Sequence, residues 1–284
     1  MLTVHEALDF YWKEHASQKT SAATIENCIS RLKGYFNAAT PIGAVGIPES
    51  RQYVRMRKAK ASTAGKELTV LRSAARHNFK WRRLQPHEMP VIEIPTVATS
   101  KAVWFFQDEL AAIRRCAPDQ RTLDYIDLSY YTAARRNAVE TLRKVNIDWP
   151  RKNIIWNPEF ETNKRRPPIK IDPEIVPTIE RLLRGESEFL LGSDAEMIVP
   201  FQKTCSLAGL LNLKEREGRP TAKATPHMLR HSRATHLLWA GTWPYEVAAL
   251  LGDTVETVLR VYGHRSPEYM KNTFKNSIRI GDLS

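Results

Sequence analysis

TPHMLRHSRATHLLWAG, residues 225–241, reads as a helix that starts near Pro226. His227 and Arg230 lie three residues apart, which sets both side chains on one helical face within reach of a single anion. Such a pair supplies a proton-transfer group and a fixed positive charge to one phosphate. His231 and His236 raise a metal reading, but Met228 stands where a metalloprotease helix needs its glutamate, and no third ligand is apparent. No metal site is expected.

Three further segments flank this helix. YEVAALLGDTVETVLRVYGH, residues 245–264, is a helix with Val247, Leu250 and Leu251 inward, a stop at Gly252, and a second helix leading to Tyr262. A tyrosine this near a C-terminus is usually packing; with cations upstream it becomes a candidate nucleophile. YYTAARRNAVETLRKVNIDW, residues 130–149, runs a helix into Thr132 and presents Arg135 and Arg136 at a junction, where a guanidinium can grip two phosphate oxygens. FETNKRRPPIKI, residues 160–171, carries Lys164, Arg165 and Arg166 on a tip between two predicted strands, NIIWNP and PPIKID. There an ammonium could protonate a leaving oxygen, although hairpin tips are also Lys-rich for solubility.

The N-terminal third reads differently. Ile25, Ile29, Leu32 and Phe36 recur at helical spacing, and a second helix is expected from a Ser62–Thr63 cap through Leu68, Leu71, Ala75 and Phe79 on its buried side. Basic residues crowd the rest: Arg51, Arg55, Arg57, Lys58 and Lys60 in one run, then Lys66, Arg72, Arg76 and Lys80 on the helix. Of these, Arg55, Arg57, Lys58, Lys66, Arg72, Arg76 and Lys80, with Arg165 and Arg166 of the hairpin, are the candidate DNA contacts; a solvated face is the bland alternative. Pro86, Pro90 and Pro95 interrupt helix beyond it. The expected organisation is a helical unit over 1–88, a linker over 89–101 and a second domain over 102–284, in which helices dominate from Glu174 onward.

Bulk properties agree. The 284-residue chain has 43 Lys and Arg against 31 Asp and Glu, a formal charge of +12, which favours a polyphosphate partner. Cys28, Cys116 and Cys205 form no CxxC pair and suggest a reducing compartment. No signal-peptide order and no long apolar run is seen, so a soluble, cytoplasmic protein with no membrane partner is expected. No phosphate-cradling glycine loop and no tight acidic cluster for Mg²⁺ is present, so no cofactor is expected.

In order and spacing, these segments resemble the catalytic domain of the tyrosine recombinase (phage-type integrase) family: arginine, hairpin lysine, His-x-x-Arg, a further His or Trp, then tyrosine. The resemblance covers about residues 102 to 275, and the N-terminal helices look like the family's core-binding domain. It implies a mainly helical fold with a small β-hairpin, in two domains that form a C-shaped DNA clamp. It implies Arg135, Lys164, His227, Arg230, the residue at Asp253 and Tyr262 as catalytic positions. On that pattern Tyr262 forms a 3′-phosphotyrosyl bond with no ATP or metal. Arg135 and Arg230 hold nonbridging oxygens, Lys164 protonates the leaving 5′-oxygen, and His227 assists proton transfer. Double-stranded DNA, a homotetramer on two duplexes and an accessory DNA-bending or directionality protein are the implied partners. The tail from 265, with Tyr269, Met270, Phe274 and Ile278 at helical spacing, either exchanges between protomers or packs on its own domain.

The sequence departs from the pattern in three places. Asp253 replaces the usual histidine; an ionised acid cannot donate to phosphate, which leaves it to orient His227 or an arginine, or to be protonated against DNA. Ala138 replaces an acidic partner. Ala133 replaces a glycine, a change that requires only a backbone position tolerant of a Cβ. Two other functions fit the same scaffold: a noncatalytic DNA-binding protein, and a type IB topoisomerase-like enzyme that relaxes DNA.

Overall fold

Helices α1 (Val4–Glu14), α2 (Ala22–Tyr35), α3 (Ile47–Met56) and α4 (Ala61–Lys80) build the first of two units, Met1–Thr99. A computed structural model describes residues 1–96, 102–156 and 167–263 of the chain. Thr3 opens α1 with a capping box to Glu6, so two otherwise orphaned backbone donors are satisfied at the start of the chain. The predicted stripe of Ile25, Ile29, Leu32 and Phe36 is buried, against Leu8, Leu68 and Leu71 among others.

Two expectations for α4 are corrected. The helix begins at Ala61 with Lys60 at the cap position and no side-chain cap, so Ser62 and Thr63 lie inside the first turn. Phe79 is 42% exposed and Asn78 is buried in its place. Helical spacing from Ala75 allows either residue inward. Asn78 takes the position because its amide donates to Ala7 O of α1 and Ala74 O, both at 2.9 Å, which ties the two helices together.

The second unit, Ser100–Ser284, contains α5 (Gln107–Arg115), α6 (Gln120–Thr132), α7 (Arg136–Glu140), α8 (Val176–Arg184), α9 (Ile198–Leu207), α10 (His227–Trp239), α11 (Pro244–Leu251) and α12 (Val255–Tyr262). The two predicted strand segments pair, as β2 (Asn153–Ile154) and β3 (Ile169–Lys170), and an unpredicted strand, β1 (Ile147–Asp148), joins them in an antiparallel sheet of order β1-β2-β3, with Ile154 opposite Ile169. These isoleucines join Phe105, Ile113, Leu128 and Phe201 in the larger core.

Helices dominate after Glu174, as expected, with one addition. Strands β4 (Asn212–Leu213) and β5 (Ala222–Lys223) form a second antiparallel pair. Their sequence lacks apolar alternation, and the ribbon is anchored by the fully buried Arg219 instead. Its guanidinium donates to Trp104 O at 3.1 Å and Lys214 O at 2.9 Å and pairs with Glu109. The fold is mainly helical with small antiparallel sheets, as expected.

A smaller core holds α10, α11 and α12 together through Ala133, Ala234, Val247, Leu251, Val258 and Tyr262. The alanines matter because a small side chain at a helix contact allows close approach. Gly252 ends α11 in the left-handed conformation, φ +61°, and Thr254 caps α12 by accepting from Thr257 N at 3.2 Å. Asp253 is the one residue between these two signals, so the tight turn determines where its carboxylate points.

Candidate active site

Three turns converge on one cluster: the α6–α7 junction, the first turns of α10, and the α11–α12 turn with the end of α12. Arg230 is its most buried member, with a side chain 4% exposed. Its Nη1 donates to Ala133 O at 2.7 Å, and its Nη2 donates to Leu251 O at 2.9 Å and to Asp253. One guanidinium thus joins all three turns, and planar, permanently charged Arg suits that task better than Lys.

Ala133 makes the first of these contacts from φ +50°, the left-handed region. The position therefore accepts a Cβ at a conformational cost. Without glycine the conformation costs about 1 kcal/mol, offset here by burial of the methyl group and by the bond from Arg230.

Arg135 follows at the cap of α7. Its Nη2 lies 3.5 Å from Asp253 Oδ1, and its Nη1 is buried with no hydrogen-bond partner among the described residues. Asp253 consequently bridges the two arginines, its Oδ1 toward Arg135 and its Oδ2 toward Arg230. Of the roles considered for it, the observed partners are arginines. A buried guanidinium N–H left open beside a second guanidinium is what an anion-binding site offers before its anion arrives.

Tyr262, at the end of α12, is 6% exposed. Burial pushes its phenol up to about 12, against the pull of the Arg230 charge. Its hydroxyl meets Nδ1 of His231 at 2.7 Å. The ring of His231 in turn packs edge-on against His227, centroids 4.4 Å apart. Burial, and then the charges of Arg230 and Arg135, hold His227 below the usual imidazole range, so it is neutral at neutral pH.

His231 is the site residue that motif reading missed. It was weighed only as a metal ligand. The usable signal was its spacing: residues 227, 230, 231 and 234 share one face of α10, and Ala234 is where α12 packs. His236, the other histidine of the metal reading, is buried and meets the hydroxyl of Tyr130 at 2.9 Å. Among the described residues no group of three or more His, Cys, Asp or Glu is placed to hold a metal, and no helix is long and apolar enough to cross a membrane.

Burial lowers His236 from 6.5 to about 4. Below pH 6.5 the unfolded chain takes up a proton that the folded chain refuses, so this group's contribution falls with pH down to about 4. By pH 5 the expected loss is about 2 kcal/mol. Urea unfolding of the wild type and His236→Asn at neutral pH and near pH 5 measures it: the wild type should lose more stability by about that amount, and parallel slopes would contradict the assignment.

The remaining predicted residues divide. Lys164, Arg165, Arg166, His264 and the tail from 265 lie outside the described residues. Arg55, Lys58, Lys66, Arg76 and Lys80 are exposed and Arg72 is half-buried. Arg57 has a partner within its unit: Nε and Nη2 each reach the Glu67 carboxylate at 3.0 Å, and Tyr53 donates to the same group at 2.6 Å. Ala138 is buried in the larger core.

Comparison with known proteins supplies the wider setting. Residues 105–268, more than half of the chain, match the model of the phage integrase family. A Pseudomonas aeruginosa protein named as tyrosine recombinase XerC is 28% identical over 137 residues, 44% of this chain and 31% of that protein, so the match spans less than a third of that relative's length. The fold is similar to the Tn1549 transposon integrase in complex with transposon right-end DNA, with a TM-score of 0.72 and 15% identity over 96% of this chain and 99% of that one. It is also similar to a lambda integrase tetramer bound to a Holliday junction, with a TM-score of 0.69 and 16% identity over 89% of this chain and 78% of that one.

Proposed function

The chain belongs to the phage integrase family, and we propose that it is a site-specific recombinase that cuts and rejoins DNA through Tyr262. The observation that carries this reading is the pairing of Arg135 and Arg230, from separate turns, on one acidic side chain, beside a small core that buries Tyr262 with Ala133 and Leu251.

In this reading a DNA phosphate takes up the position between the arginines that Asp253 now fills, and the nonbridging oxygens receive the guanidinium donors, including the open Nη1 of Arg135. The carboxylate has a use before that moment, because it keeps two like charges together. Tyr262 then attacks phosphorus, forming a 3′-phosphotyrosyl bond as the 5′-oxygen departs. His227 assists proton transfer, and Lys164 protonates the departing oxygen. The energy of the broken bond stays in the new one, so a 5′-hydroxyl from a partner strand can reverse the step without ATP. Arginines supply the charge stabilisation for which other phosphoryl-transfer enzymes use divalent ions.

The exposed cations of the first unit, Arg55, Lys58, Lys66, Arg76 and Lys80, and the half-buried Arg72 contact duplex phosphates, with Arg165 and Arg166 adding to them from the hairpin. The two units close on the duplex as a clamp, and four chains act on two duplexes, as in the lambda integrase tetramer on its junction. The protein works on DNA in the cytoplasm, with an accessory bending or directionality protein.

Supercoiled plasmids carrying duplicate copies of the DNA that flanks the gene, incubated in EDTA, should yield deleted or inverted circles. Relaxation without rearranged circles would favour the topoisomerase-like activity, and binding without either product would favour the noncatalytic one.

A further inference from the structure

The reading above has His227 assist proton transfer, but the residue in hydrogen-bond contact with the Tyr262 hydroxyl is His231. A phenol held at about 12 is ionised to only about one part in ten thousand at pH 8, so attack on phosphorus needs a base in contact with the hydroxyl. We propose that His231, which the family pattern does not include, is the catalytic base that takes this proton directly. The inference rests on Tyr262 being the nucleophile.

The geometry carries it. Nδ1 of His231 lies 2.7 Å from the Tyr262 hydroxyl, a distance at which a phenol donates to a ring nitrogen when the imidazole carries its own proton on Nε2. The approach follows from the helix packing. Ala234, one turn further along α10 and fully buried, shares a small core with Val258 and Tyr262 of α12, and His231, one turn back, meets the last residue of α12. His227 packs edge-on against the His231 ring from the preceding turn of α10, so it assists by orienting that ring while His231 takes the proton.

The step balances. As the bond from the Tyr262 oxygen to phosphorus forms and the bond from phosphorus to the 5′-oxygen breaks, the phenolic proton passes to Nδ1 of His231, and the 5′-oxygen takes a proton from Lys164. In rejoining, His231 returns its proton to the departing tyrosine oxygen, and Lys164 takes the proton of the attacking 5′-hydroxyl. A base on the nucleophile and an acid on the leaving group are thus separate residues, and they can be tested separately.

The test is the single-turnover rate of adduct formation by the full-length protein on a nicked duplex, and on the same duplex with sulfur in place of the leaving 5′-oxygen. Sulfur leaves without a proton. His231→Asn puts an amide where Nδ1 was, retaining a polar partner for Tyr262 without the basicity. It should bind DNA as the wild type does and form adduct about 100-fold more slowly or worse. Sulfur should rescue Lys164→Ala and leave His231→Asn slow. His231→Ala should be partly restored by added imidazole, which separates loss of a base from loss of fold. A His231→Asn rate within a few fold of wild type, or its rescue by sulfur, would overturn the assignment. If Tyr262→Phe still forms adduct, the nucleophile itself is wrong and the base falls with it, a different result from a normal rate in His231→Asn.

Discussion

Tyr262→Phe should bind duplex DNA as the wild type does and form no covalent adduct. The change removes one oxygen atom. The aromatic ring remains buried against Val258 and Ala234, and what is lost locally is the hydrogen bond to His231, worth about 1 kcal/mol of stability. None of the exposed cations of the first unit is touched. Gel shift, thermal unfolding and denaturing electrophoresis together check the three parts of the expectation. Persistence of adduct would show that another nucleophile acts, and loss of binding would show that Tyr262 supports the fold rather than the chemistry.

Arg135→Ala should slow adduct formation by about 10²–10³-fold with little effect on stability. This combination follows from the partners. Among the described residues Arg135 makes one ion pair, with Asp253 at 3.5 Å, and its Nη1 has no partner. Its removal leaves only Asp253 less well paired, and Arg230 still holds that carboxylate. Arg135→Lys should restore only part of the rate, because an ammonium cannot present two parallel donors to two phosphate oxygens. Single-turnover rates beside urea midpoints distinguish the outcomes. An Arg135→Ala rate close to wild type would remove it from the phosphate site. Arg230 is the poorer probe: its truncation strands Ala133 O, Leu251 O and the Asp253 carboxylate, and mixes unfolding with chemistry.

The difference between these two arginines also shows what a sequence can carry. His227, Arg230, Arg135 and Tyr262 were legible because each sits in a local pattern, a helical i+3 pair, a helix junction or a helix end, and their order along the chain narrows the chemistry. Strands β2 and β3 were legible for the same reason, from β-branched residues bounded by turns, whereas the two-residue β1 carries too little pattern to be read. What stayed hidden depends on distant partners. Arg57 looked like one more cation in a basic run until Glu67 and Tyr53 were found beneath it. Arg219 anchors a ribbon through Glu109 and Trp104, over a hundred residues earlier in the chain. Asp253 stood out as a departure, but its bridging of two guanidiniums depends on how Gly252 turns the chain. His231 was read with its own helix, and its meaning came from another.

The most direct test of the central claim is to react the wild-type protein in EDTA with nicked suicide duplexes drawn from the DNA that flanks its gene, digest the product, and sequence the DNA-linked peptide by mass spectrometry. The account predicts one linked peptide, ending the helix Val255–Tyr262, with Tyr262 joined to a 3′-phosphate and a free 5′-hydroxyl on the released strand. Linkage through another residue, linkage to a 5′-phosphate, or tight binding with no linked peptide would contradict it.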